Sequence, residues 1–193
     1  MKATELLEKQ HREVERLFDS IEKAKGRVAK RKLFDELAGA LVAHDAIERE
    51  IFYPACEKKM GRTDGLGEAL AEHGVVEFCV FRADSARTDD DFDACVSVLQ
   101  ESLDHHVSEE ENEFFPKAKR ALGAEMLEQL GAKMEERFES AMETDFRGAL
   151  HKNLGQVLQG AVKTSRRGLG KKTAAKKKKA GAAARASARS RKK

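Results

Sequence analysis

Leu33, Leu37 and Leu41 recur at four-residue spacing, the signature of one buried helix face, and the same stripe continued by three, four and three residues lands on His44, Glu48 and Ile51. A histidine and a carboxylate thus stand where leucines belong. Similar stripes predict helices along most of the chain. A first helix runs from about Thr4, its N-cap, to Lys25 on the face Leu7, His11, Val14, Leu17 and Ile21, and Gly26 stops it. A second covers roughly Val28 to Lys59 and meets Pro54, which should kink or end it, because proline lacks the amide proton and clashes with the preceding turn. After the loop GRTDGLG, a third runs from about Leu66 to Ala86 with Leu70, His73, Glu77 and Val80 on one face. Thr88 and the aspartates after it suit a helix N-terminus, where negative charge is favoured. The fourth helix that follows carries Val96, Leu99, Leu103, His106, Glu110 and Phe114 before Pro116. A fifth, about Ala124 to Glu143, places Leu127, Leu130, Met134, Phe138 and Ala141 at helical spacing, and a marginal sixth follows from Phe146 despite three glycines. The expected fold is all-α: an up-down four-helix bundle over 1–122, accessory helices over 123–162 packed outside it, and a disordered tail over 163–193.

A shift of 62 residues superimposes the first half of the bundle on the second. His11 falls on His73, Glu15 on Glu77, His44 on His106, Glu48 on Glu110 and Pro54 on Pro116, while Val14, Leu37, Leu41 and Phe52 meet Val76, Leu99, Leu103 and Phe114. Burial alone explains why leucines persist across a duplication. It does not explain why histidines and glutamates keep the same frame.

Metal chemistry supplies a reason. Residues four apart on a helix point the same way, so His44 with Glu48, and His106 with Glu110, each present an imidazole and a carboxylate to one point. An unpaired buried carboxylate is costly unless a cation or partner neutralises it. Two such pairs on antiparallel helices, with His11 and His73 opposite, give four nitrogens and two bridging carboxylates, enough for two metals. A set without thiolate suits iron or manganese better than structural zinc.

These segments, EKQH ending at His11, HDAIEREIFYP, AEHGVVE and HVSEEENEFFP, resemble the hemerythrin-like, or HHE cation-binding, domains over about residues 1 to 120. The family signature is a lone histidine followed by HxxxE near a proline, given twice. The resemblance implies a four-helix bundle with a non-haem di-iron centre in which His11, His44, His73 and His106 are terminal ligands and Glu48 and Glu110 bridge. One departure bears on activity: oxygen-carrying hemerythrins have a second histidine on the third helix where this chain has Glu77, and Glu15 holds the equivalent place on the first. Glu15 and Glu77 are extra carboxylate ligands, acceptors that orient the imidazoles, or surface acids. His105, Glu109 and Glu111 lie out of frame and read as solvated side chains, as does the unpartnered His151; Tyr53 and Phe115 read as core or lid.

Composition divides the chain in two. Of 37 basic residues, 16 follow residue 145 with no acid among them, which leaves 21 against all 34 acids, a net charge of −13, in residues 1–145. Residues 163–193 hold 14 basic residues in 31 and no aromatic, too little apolar surface to order alone. Their Lys, Ala and Arg bias resembles the tails of linker histones and some nucleoid proteins, so nucleic acid is the expected partner, bound through phosphates and without sequence preference. Three cysteines without CxxC spacing argue against a disulfide framework or zinc finger, and no stretch reaches the roughly 18 apolar residues of a membrane span. The expectation is a cytoplasmic, nucleoid-associated protein with two iron ions, manganese being the substitute, that binds, senses or reduces O₂, peroxide or NO. The alternative is a nucleic-acid-binding protein whose metal centre is a sensor or structural clamp without turnover.

Overall fold

The computed structural model describes residues 1–61 and 64–157, and no strand occurs among them. The helices are α1 (Ala3–Lys23), α2 (Arg27–Ile47), α3 (Tyr53–Met60), α4 (Asp64–Ser85), α5 (Asp89–Glu109) and α6 (Phe115–Met142), and residues 146–157 are helical as well. Residues 1–154 form one compact unit. The boundary expected at residue 122 falls inside this unit, and the expected basic tail lies outside the described residues.

Short reversals pair neighbouring helices. Gly26, at φ 86°, turns α1 into α2, and Thr88 Oγ1 accepts from the Asp91 amide (3.2 Å) to start α5, where three aspartates face the positive helix end. α1 packs on α2 and α4 on α5, while α6 lies across α1 and α2. The prolines neither end nor sharply break the helical path. Two π-helical turns, Glu48–Phe52 and Glu110–Phe114, come immediately before α3 and α6, and the Tyr53 and Phe115 amides reach back five residues to the Glu48 and Glu110 carbonyls. The wider turn takes up the misfit of Pro54 and Pro116, which offer no amide and need room at the preceding turn.

Two apolar clusters fill the bundle. One joins Val14, Phe34, Leu37, Leu41, Val80 and Leu103; the other joins Leu7, Ile47, Phe52, Phe115 and Leu130. Each of the four bundle helices crosses from one cluster to the other at its histidine: α1 between Leu7 and Val14, α2 between Leu41 and Ile47, α4 between Ala69 and Val76, and α5 between Leu103 and the following Phe114. The polar residues therefore form a single layer sealed above and below by hydrocarbon.

The segments expected outside the bundle contribute to both clusters. α6 turns at Gly123 (φ 75°) and buries Leu127, Leu130 and Met134. Gly131 is required there, because a Cβ would collide with the Met1 carbonyl oxygen. Helical residues 146–157 bury Phe146 and Leu150. Arg147 fixes their start with 2.7 Å bonds to both Asp35 and Asp84, which joins this segment to α2 and α4.

Candidate metal centre

The polar layer brings together six of the eight residues that the repeat singles out. His11, His44, Glu48, His73, His106 and Glu110 are all at most 7 % exposed, and Glu48 is fully buried. His11 Nε2 lies 3.3 Å from His44 Nε2, and His73 Nε2 lies 3.1 Å from His106 Nε2. The glutamates stand between these pairs. Glu48 Oε2 is 3.2 Å from His44 Nε2 and 3.3 Å from His73 Nε2, while Glu110 Oε2 is 3.6 Å from both His11 Nε2 and His106 Nε2. Each carboxylate thus reaches one histidine of each pair.

All four imidazoles are oriented from behind. His11 Nδ1 faces Glu111 Oε1 (2.8 Å), His44 Nδ1 faces Gln10 Oε1 (2.8 Å), His106 Nδ1 faces Glu72 Oε2 (2.9 Å), and His73 Nδ1 bonds Asp45. Each acceptor draws the ring proton to Nδ1 and leaves a bare lone pair on Nε2, aimed inward. Two lone pairs cannot bond each other across these gaps. Protonation of His11, His44 or His73 is no remedy at neutral pH: burial and neighbouring His44 push His11 down to about 2, burial pushes His73 down to about 4, and burial lowers His44 as well.

The carboxylates have the complementary defect. Both oxygens of Glu48 and Oε2 of Glu110 have no hydrogen-bond partner among the described residues. Burial, then the charge of Asp45, raises Glu48 well above the usual carboxylate range, and burial with neighbouring Glu48 raises Glu110 to about 8. Glu110 Oε1 is satisfied by the Tyr53 hydroxyl, which donates to it (2.8 Å) and lies 3.0 Å from His73 Nε2. Inward lone pairs and orphaned carboxylate oxygens in a buried layer fit a cation, which supplies the positive charge that both groups lack.

The other two residues separate. Glu15 stands on the exposed face of α1, paired with Arg12 (2.6 Å). Glu77 is buried; its Oε2 meets Arg49 (3.3 Å), its Oε1 has no partner among the described residues, and burial with the charge of Asp45 raises it to about 7. It lines a cavity of about 20 Å³ with His44, His73, His106 and the apolar Val76 and Val80. Asp45 binds His73, Arg49 (2.5 Å) and Asn153 (3.3 Å), so the helix at 146–157 reaches the outer side of the centre.

Glu111 requires a correction. The frame leaves it as solvated charge, yet it is the hydrogen-bond partner of His11, because the π turn beginning at Glu110 brings its side chain against α1. Tyr53 likewise belongs to the polar layer through its hydroxyl rather than to core or lid alone. Gln10, Asp45 and Glu72 were not singled out by spacing. A signal existed for two of them: Gln10 and Glu72 are 62 residues apart, each precedes a lone histidine, and each holds the HxxxE histidine of the paired helix. His105 is 65 % exposed and outside the layer, and His151 is an exposed residue whose ring meets Phe81.

Residues 2–118 match the Hemerythrin HHE cation binding domain. The crystal structure of a hemerythrin HHE cation-binding domain-containing protein from Mycobacterium kansasii is similar to this one, with a TM-score of 0.69 and 27 % sequence identity over 80 % of this chain and 99 % of that one. A search of curated proteins finds no match to this sequence. A four-helix frame with a buried layer of histidines and glutamates, and a domain match spanning most of the bundle, agree: this chain belongs to the hemerythrin HHE cation-binding family.

Proposed function

We propose that this protein holds two iron ions in the polar layer and uses them to bind, sense or reduce O₂, peroxide or nitric oxide. The observation that carries this reading is the position of the two Oε2 atoms, each shared between the histidine pairs and each without a hydrogen-bond partner among the described residues. That pattern supports two cations with two histidines apiece and Glu48 and Glu110 as bridges. Nitrogen and oxygen donors without thiolate favour iron, with manganese the nearest substitute. When bound, the iron pair supplies open coordination positions and electrons to a small oxidant.

The chain's own residues set the limits on what reacts. The 20 Å³ cavity beside His73, His106 and Glu77 has room for about one water-sized molecule, and its apolar walls favour an uncharged one. Tyr53 holds a proton at its hydroxyl within reach of Glu110 and His73, and burial, then the charge of Glu48, keeps that proton in place. Glu77, where an oxygen carrier has histidine, supports redox handling of peroxide as readily as reversible O₂ carriage. Iron-loaded protein mixed separately with O₂, hydrogen peroxide and NO should change its visible spectrum with at least one, and peroxide loss over many turnovers would mark an enzyme. No response to any of the three would contradict the reading, while a response without turnover would favour a sensor.

The second element of the proposal is attachment to nucleic acid through residues 163–193, supported by their 14 basic residues and absence of acids. Gel shift of random duplex DNA should be lost when these residues are deleted and should weaken steeply with salt. Unchanged binding by the truncated chain would refute it.

A further inference from the structure

The surface and the buried layer meet in a cleft of about 510 Å³. Its lining includes Glu68, Glu72, Glu109, Glu110, Glu113 and Lys117, and the one lysine lies 3.6 Å from Glu113. Two of these carboxylates come together with an exposed histidine. His105 Nε2 lies 3.4 Å from Glu72 Oε1 and 3.4 Å from Glu109 Oε1, and the three ligand atoms fall within 4.8 Å of one another.

Two further observations separate this cluster from ordinary surface charge. Glu72 faces both ways: one oxygen meets His105, and the other holds His106 Nδ1 at 2.9 Å, behind the buried centre. Glu110 lines the same cleft, is only 2 % exposed, and has an Oε2 with no hydrogen-bond partner among the described residues. Glu72 and Glu109 of the outer group therefore share one cleft with the buried carboxylate of Glu110. With five glutamates against one lysine, the cleft is predominantly acidic, and a cleft of that sign concentrates cations and accelerates their arrival.

We propose that His105, Glu72 and Glu109 form a capture site for a divalent cation, which passes from Glu72 and Glu109 along the acidic cleft to Glu110. One nitrogen and two carboxylates match the borderline-hard cations that the inner donor set takes, and solvent completes the coordination at an exposed site, so the ion is held weakly and exchanges. The inference rests on the reading of the buried layer as a metal centre. It adds a third site with a different task, loading.

The test compares metal-free full-length protein with the double variant His105→Ala/Glu109→Gln; Glu72 is left intact because it also orients His106. Each is mixed with Fe²⁺ without oxygen, stopped with chelator at intervals, and assayed for protein-held iron. The variant should fill the buried centre about tenfold more slowly and reach the same final content. Equilibrium dialysis against Mn²⁺ should give the wild type one more weakly held equivalent than the variant. Equal filling rates, no extra equivalent in the wild type, or loss of the inner metal from the variant would each overturn the proposal. If neither protein retained iron at all, the metal-centre reading would fall with it, a result distinct from full and equally fast loading of both.

Discussion

Glu48 is fully buried with neither oxygen paired among the described residues, so its ionised form is destabilising unless a cation neutralises it. That gives a substitution whose sign depends on metal. Glu48→Gln replaces the ionisable carboxyl by an amide of the same shape, and metal-free protein should keep or gain stability, by about 1–3 kcal/mol. The same variant should lose most of the rise in melting temperature that metal gives the wild type. A purely structural glutamate would show the reverse, a loss of stability without metal.

The titrating groups make a related prediction for metal-free protein. Glu110 is raised in the fold to about 8, so its proton stabilises the folded state fully below its unfolded value of 4.5, and that contribution is lost as pH rises toward 8. His11 is lowered to about 2, so its contribution is complete above 6.5 and is lost as pH falls below that value. Between 4.5 and 6.5 the two oppose each other; from 6.5 to 8 only the carboxylate remains. The melting temperature of chelator-treated protein should therefore fall from pH 6.5 to 8, and metal should flatten the profile. Behind the ligands, Glu111→Ala frees the His11 ring and should weaken metal affinity about 10- to 100-fold without changing stoichiometry.

At the level of the element, the histidine and glutamate positions were legible because a duplication preserves a frame that burial does not need. The acceptors behind them were not all legible. Gln10 and Glu72 obey the repeat, but Glu111 and Asp45 do not: their counterparts 62 residues away are Arg49 and Val107. The lone histidines His11 and His73 thus found different partners on helices whose relative placement no single-helix spacing describes. The π turns escaped for a similar reason. Proline marks a disturbance in the backbone, but whether the chain breaks or widens depends on the tertiary packing of the turn before it, which ends at the buried Phe52 and Phe114. The accessory helices were legible as helices, while their place in the core needed the third dimension. Leu150 is fully buried in the cluster beneath the polar layer, so Leu150→Ala should cost about 2–5 kcal/mol in denaturant unfolding and leave metal stoichiometry unchanged.

For the molecule as a whole, the design is a sealed polar layer between two apolar clusters, with all four bundle helices contributing at one level. Such an interior tolerates four imidazoles and two carboxylates when cations complete them. No helix among the described residues is long and apolar enough to cross a membrane. The central claim, two metals sharing two glutamates, is tested most directly by titrating metal-free protein with Fe²⁺ under anaerobic conditions and measuring bound iron per chain. The account predicts saturation at two irons in the wild type, and weakened, incomplete binding in Glu48→Gln and Glu110→Gln alike. Saturation at one iron or none, or unaltered binding of two by either variant, would contradict it.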